Sequence, residues 1–236
     1  MSRVALLSLA LASSLAVACS SASTETRTAA DESAPTHEEA REIDQASAES
    51  TAEEAPVAST DRRQIGDYVT FTFSGSYRKT PLVLTQRVVD KTAAAIVIEY
   101  VFSDKKAKET LRVTTDLKTH DVLAVARIAA DGAAVDVERA VFEAKMAETV
   151  AVADENEALV TEEPATLQVA GAEIDATRAI YKVRIGKKAA TLKTLASEGF
   201  AWGDLGGEIV TADGKVFYKA ELIDAGGSHA TAMLER

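Results

Sequence analysis

From Tyr68 to Ser74 the chain alternates without a break, with Val69, Phe71 and Phe73 on one side and Tyr68, Thr70 and Thr72 on the other. A β-strand, with its side-chain period of two, is the element that places such a run half inside and half outside a core. Similar strand-like runs recur down the chain. They cover residues 82–89 after Pro81, 95–102 (with Ile96, Ile98, Tyr100 and Phe102 facing one way), 110–115, 122–128, 166–170, 172–185 and 189–195. Residues 208–211 and 215–222 flank Asp213-Gly214, the strongest hairpin signal in the sequence. Asp131-Gly132 and Gly186-Lys187-Lys188 read as further turns.

One stretch breaks the period. In 137–150, Val137, Ala140, Val141 and Ala144 recur at helical spacing, with Phe142 and Met146 four apart. This predicts a helix of about three turns. Asp154 to Glu157 reads as an acidic loop, and Pro164 as the point where strands resume. Strands that follow one another through short turns pair antiparallel. The expected fold is therefore α+β, mainly antiparallel β: one curved sheet or half-barrel of about ten strands with one short helix, since a sheet of that size must curl or cover itself.

The first sixty residues differ in texture. Met1-Ser2-Arg3 is a short cationic start, and Val4 to Val17 is an uncharged apolar run of 14 residues. That suits a signal-peptide core and falls short of the roughly 20 residues a spanning helix needs. Leu15-Ala16-Val17-Ala18-Cys19 follows, with small residues directly before the only cysteine in the chain. This segment resembles the lipobox of bacterial lipoproteins, although Ala16 stands where that family usually has Leu. The resemblance implies cleavage before Cys19, a diacylglycerol on its thiol and acylation of its amine. Two or three acyl chains anchor stably where one binds only marginally. By the same resemblance, Ser20 in place of Asp implies the outer membrane.

Between Cys19 and Thr60 ten acids and two bases leave a charge of −8, with no aromatic residue. Such a segment cannot offset its chain entropy and is expected to be a disordered acidic tether. Thr36-His37-Glu38-Glu39 has capping-box spacing. Ile43 is the one large apolar residue there, so a solvated, transient helix is expected. The expected organisation is a signal peptide over 1–18, a lipid-anchored tether over 19–60, a β-rich globular domain over 61–225 and a flexible tail over 226–236.

Charge and motif exclude several functions. The chain carries −11 overall, most of it in the tether, and this acidic balance argues against nucleic-acid binding, which needs Lys and Arg clustered on one face. A single cysteine allows neither an internal disulfide nor a multi-cysteine zinc site. His37, His120 and His229 lack a second ligand at metal spacing. No nucleophile elbow, phosphate loop or dinucleotide fingerprint is present. No cofactor and no catalytic residue is expected. The acids from Asp154 to Glu163 lack calcium-loop spacing.

Two groups remain as binding candidates. Phe200 and Trp202 among glycines can line a ligand mouth or plug the end of a barrel. Arg178, Lys182 and Arg184 share one strand face and can meet an anionic surface, or simply solvate the sheet. The strand count and the Trp202, Gly206, Gly207 ending resemble the lipoprotein-carrier half-barrels of the periplasm and other β-rich envelope domains. That resemblance implies a fold and carries no catalytic residue. The expected function is a non-enzymatic, lipid-anchored envelope protein whose domain holds an apolar or lipid ligand. The alternative is a structural or protein-interaction lipoprotein with a closed core.

Overall fold

The computed structural model describes residues 61–151 and 153–227. The signal segment, Cys19, the 36–39 capping box, His37 and His229 lie outside the described residues. Eleven strands form one open antiparallel sheet: β1 (Tyr68–Ser74), β2 (Leu82–Lys91), β3 (Ala95–Ser103), β4 (Lys108–Asp116), β5 (Val122–Ile128), β6 (Ala134–Asp136), β7 (Glu155–Val169), β8 (Ala172–Ile185), β9 (Lys188–Ala196), β10 (Asp204–Thr211) and β11 (Val216–Gly226). One short helix, α1 (Arg139–Ala147), separates β6 from β7.

The order across the sheet is β6-β5-β4-β3-β2-β1-β11-β10-β9-β8-β7. The chain starts in the middle and meanders outward to β6. It then crosses to the far edge through α1 and meanders back until β11 closes against β1. The helix is thus the crossover between two all-antiparallel halves.

The sheet curls. β7 comes within 8 Å of β11, Cα to Cα, although β8, β9 and β10 lie between them. In a flat sheet four strand spacings would separate them by roughly 19 Å. The β7–β8 hairpin extends past the end of β9, whose pairing stops at Ala196 opposite Thr177. Beyond that point it is a two-stranded ribbon, which twists more strongly than a wide sheet. Accordingly β8 changes the face it buries. Tyr181 and Val183 pack with Ala190 and Ile209, whereas Ile174 and Ala176, of opposite parity, join the main core.

That core is built from the alternation read in the sequence. Val69, Phe71 and Phe73 of β1 sit with Leu82 and Leu84 of β2, Phe102 of β3, Leu111 of β4 and Leu222 of β11. Val69 and Leu111 are fully buried. On the opposite face, charges are matched across the ladder. Arg112 meets Glu99 at 2.6 Å and Lys193 meets Glu208 at 2.8 Å, each pair directly opposite in register. Apolar inside and paired charges outside fix the register, because a one-residue slip would exchange the faces.

Two expectations change. The acidic segment expected as a loop is strand: β7 runs unbroken from Glu155 through Pro164 to Val169. Its acids lie beside β8 bases, Glu163 with Arg178 and Glu155 and Glu157 with Arg184. Cross-strand pairing holds what hydrophobic pattern does not mark. Pro164 is tolerated because β7 is an edge strand, with no neighbour needing its missing N–H. The helix is also shorter than three turns, covering nine residues.

Candidate apolar binding cleft

α1 crosses the inner face of the sheet. At nine residues it is too short to be stable alone. Its N-cap residue, Glu138, makes no side-chain capping bond, and no acid occupies the first turn. What holds it is tertiary. Phe142 meets Tyr100 of β3 edge-on, with ring centres 4.8 Å apart. Val137, Val141 and Met146 pack against the same core.

The C-terminal end of the crossover is fixed more firmly. The Tyr77 hydroxyl and Arg78 Nη1 donate to the Glu148 carbonyl at 3.3 and 3.0 Å. Tyr218 donates to the Thr149 carbonyl at 2.9 Å, and Thr149 itself is buried. Tyr77 and Tyr218 also pack edge to face at 5.2 Å. Burial raises the Tyr77 and Tyr100 hydroxyls above the ordinary tyrosine value, with Arg78 and Arg63 respectively working against it. Tyr218 is raised as well, through burial and the nearby Tyr77 and Asp204. These phenols therefore remain protonated donors throughout the neutral range.

The helix is nevertheless incompletely covered. None of its residues is fully buried, and Val141, Phe142 and Met146 keep part of their surface open over an aromatic floor. Tyr100, Trp202 and Tyr218 are likewise half-buried. Helix and sheet thus meet over partly exposed apolar and aromatic side chains, beside phenols that hydrogen-bond the end of the crossover. Asp204 stands at the foot of β10, where its carboxylate accepts the Gly206 N–H at 2.8 Å. The protein packed around it raises its carboxyl pKa although the side chain keeps solvent contact, while the Gly206 and Leu205 amides act in the other direction.

Phe200 and Trp202, the predicted ligand pair, separate. Phe200 is in the core at 4% exposure, where its amide meets Ser197 Oγ at 3.3 Å. Trp202 is half-open and bridges the main core to a second cluster of Val88, Ile96, Ile98 and Leu117. A strap formed by Asp61 to Asp67 lies over this end. The Arg63 guanidinium stands 5.1 Å from the Trp202 ring centre and is held by both carboxylate oxygens of Asp61. Lys91 donates to the carbonyls of Asp61 and Arg63 at 2.9 and 2.6 Å. Arg62 donates to the carbonyls of Glu198 and Phe200. No sequence pattern marks this strap, whose contacts join residues more than 130 positions apart.

Gly206 and Gly207 serve close approach of backbones. A Cβ on Gly206 would lie 2.3 Å from the Ala220 carbonyl oxygen, and one on Gly207 2.4 Å from that of Lys193. The bases predicted to meet an anionic surface are largely spoken for. Arg178 pairs with Glu163 at 3.1 Å and Arg184 with Glu157 at 2.8 Å, leaving Lys182 exposed. Among the described residues no group of His, Cys, Asp and Glu is placed to hold a metal, and no helix is long and apolar enough to cross a membrane.

No family model and no curated protein matches the chain. Among solved structures it is similar to MucB, at 9% identity over 72% of this chain and 56% of MucB, with a TM-score of 0.38. It is also similar to a chain of the MucA/MucB complex of Pseudomonas aeruginosa, at 12% identity over 70% of this chain and 52% of that one, with a TM-score of 0.39. A third likeness is to a protein described as exported, with a YmcC-like fold, from Bacteroides fragilis. There the identity is 11% over 70% of this chain and 97% of that one, with a TM-score of 0.35. The chain thus spans little more than half of the MucB structures it resembles, and at this similarity no partner or residue role carries over.

Proposed function

We propose that this chain is a non-enzymatic, lipid-anchored cell-envelope protein whose β-domain binds an apolar ligand between α1 and the sheet. The observation that carries the reading is the half-open helix. A crossover helix that served only to seal the core would bury Val141, Phe142 and Met146, and here none is fully buried. Leaving such side chains partly wet costs about 25 cal/mol for each Å² of apolar surface, which a ligand would recover. The partly exposed side chains there are aromatic and aliphatic, and the Tyr77 and Tyr218 hydroxyls already hold crossover carbonyls, so the lining suits a largely apolar body. A lipid is the ligand class that fits best.

The anchoring half of the reading rests on the cationic start, the apolar run and Cys19, and Ser20 favours the outer membrane. Replacing Cys19 with Ala should release the protein from membranes. If the variant and the parent are processed and attached alike, the lipoprotein reading fails. The binding half is tested by native mass spectrometry with organic extraction. A lipid-sized mass supports the cleft, and a clean apo mass favours a closed-core interaction protein.

A further inference from the structure

Most bases of the sheet are neutralised by a carboxylate, as with Arg112, Arg127, Arg178, Arg184 and Lys193. Two adjoining loops at one end of the sheet are an exception. The register pairs Leu82 with Phe73, Val83 with Ser103, and Ser103 with Lys108. The β1–β2 loop and the β3–β4 turn therefore project from the same end. They carry Arg78, Lys79, Lys105 and Lys106, and Lys108 opens β4 beside them. The four lysines are exposed.

The carboxylate in this pair of loops, Asp104, is turned into its own backbone. Its Oδ1 accepts the N–H groups of Lys106 and Ala107 at 2.7 and 2.8 Å, and the Asp104 amide donates back to the Ala107 carbonyl at 3.0 Å. The amides of Lys106 and Ala107, aided by the charges of Lys106 and Arg78, hold its pKa below the ordinary value. The nearby acid thus stiffens the turn that presents Lys105 and Lys106. Arg78 is fixed too, donating to the carbonyls of Thr80 and Glu148. Further along the same end the charges balance, since the β8–β9 turn with Lys187 and Lys188 meets Asp154 through the Gly186 N–H and Asp213 through the charge of Lys188.

We infer that these two loops, with Lys108 beside them, form an electrostatic docking face for an anionic lipid surface. The bases stand on separate rigid turns instead of lining a groove, so they fit a broad sheet of phosphates better than a threaded peptide. No exposed aromatic residue lies among them to stack on nucleobases, since Tyr77 packs against Tyr218. A base near an anionic membrane surface contributes about fivefold in binding, and the effect decays within a Debye length. The face acts independently of any covalent anchor and of the cleft.

The test uses the full chain carrying Cys19→Ala, floated with vesicles of phosphatidylcholine alone or with 30% phosphatidylglycerol (about one lipid in three). The expected result is a preference for the anionic vesicles that disappears at high salt. Lys79→Gln, Lys105→Gln and Lys106→Gln together should weaken that preference by about a hundredfold. Lys118→Gln, Lys182→Gln and Arg112→Gln together change net charge equally at other places and should leave it nearly intact. Lys79, Lys105, Lys106, Arg112, Lys118 and Lys182 are exposed, and unchanged circular dichroism would show that each variant folds. Equal flotation with both vesicle types overturns the inference. So does an equal loss in the two triple variants, which would assign the binding to net charge.

Discussion

The guanidinium of Arg63 lies over the ring of Trp202 at 5.1 Å, in the grip of Asp61. Trp202 is the only tryptophan in the chain, so its fluorescence reports on the strap without interference. Arg63→Ala removes the cation from the ring and the partner from Asp61. A cation–π contact of this exposure contributes about 0.5–1 kcal/mol. The variant should shift Trp202 emission to longer wavelength and lower stability by about 1 kcal/mol in a urea titration. An unchanged emission maximum would show that the strap does not rest on this contact.

Acid should loosen the same strap. Burial alone would raise the Asp61 carboxyl, but its hydrogen bonds and charge interaction with Arg63, aided by Lys91, outweigh it and leave the pKa below the ordinary 3.8. A carboxylate depressed in the folded state stabilises above its unfolded value and loses that contribution as pH falls through the folded value. Trp202 emission should therefore hold steady from neutral pH to about 4 and change below it. In Asp61→Asn that acid step should be absent.

Gly206→Ala should be among the most damaging single methyl additions. The backbone there has φ of +101°, and the new Cβ would meet a main-chain oxygen at 2.3 Å. Neither partner is a flexible side chain, so β10 and β11 would have to part. A loss of at least about 2 kcal/mol is expected. Gly132→Ala, at a positive φ with no atom within 4 Å, should cost about 1 kcal/mol. Chemical denaturation of the two variants side by side checks the difference.

Tyr218→Phe removes the hydroxyl that holds the Thr149 carbonyl at 2.9 Å. The expected cost is about 1 kcal/mol. The consequence should be local. Hydrogen exchange in α1 and in the segment after it should quicken, while the strands of the main core, built on Val69, Leu84 and Leu111, keep their protection. Uniform loss of protection would show that the crossover is not a separable element.

The strands were legible where one face is buried. Val69, Phe71 and Phe73, or Ile96, Ile98 and Phe102, announce themselves by period two because water is excluded from one side only. The first half of β7 was not, because Glu155 to Val160 are all exposed and the ladder there depends on charges supplied by β8. Phe200 and Trp202 are two residues apart, yet one is core and the other borders the strap. Which is which depends on Arg62 and Arg63 returning from far along the chain. The aromatic cleft was legible only as a list of large residues. Its partly open state depends on how closely α1 approaches Tyr100 and Tyr218, which local sequence does not specify.

The central claim is that the half-open face between α1 and the sheet binds an apolar ligand. Native mass spectrometry with organic extraction, on the Cys19→Ala chain purified from a bacterial envelope, tests it most directly, with Phe142→Asp beside it. The account predicts a co-purifying mass of lipid size on the parent and its loss from Phe142→Asp, with both proteins folded by circular dichroism. A clean apo mass on the parent, or the same bound mass on both proteins, would contradict it.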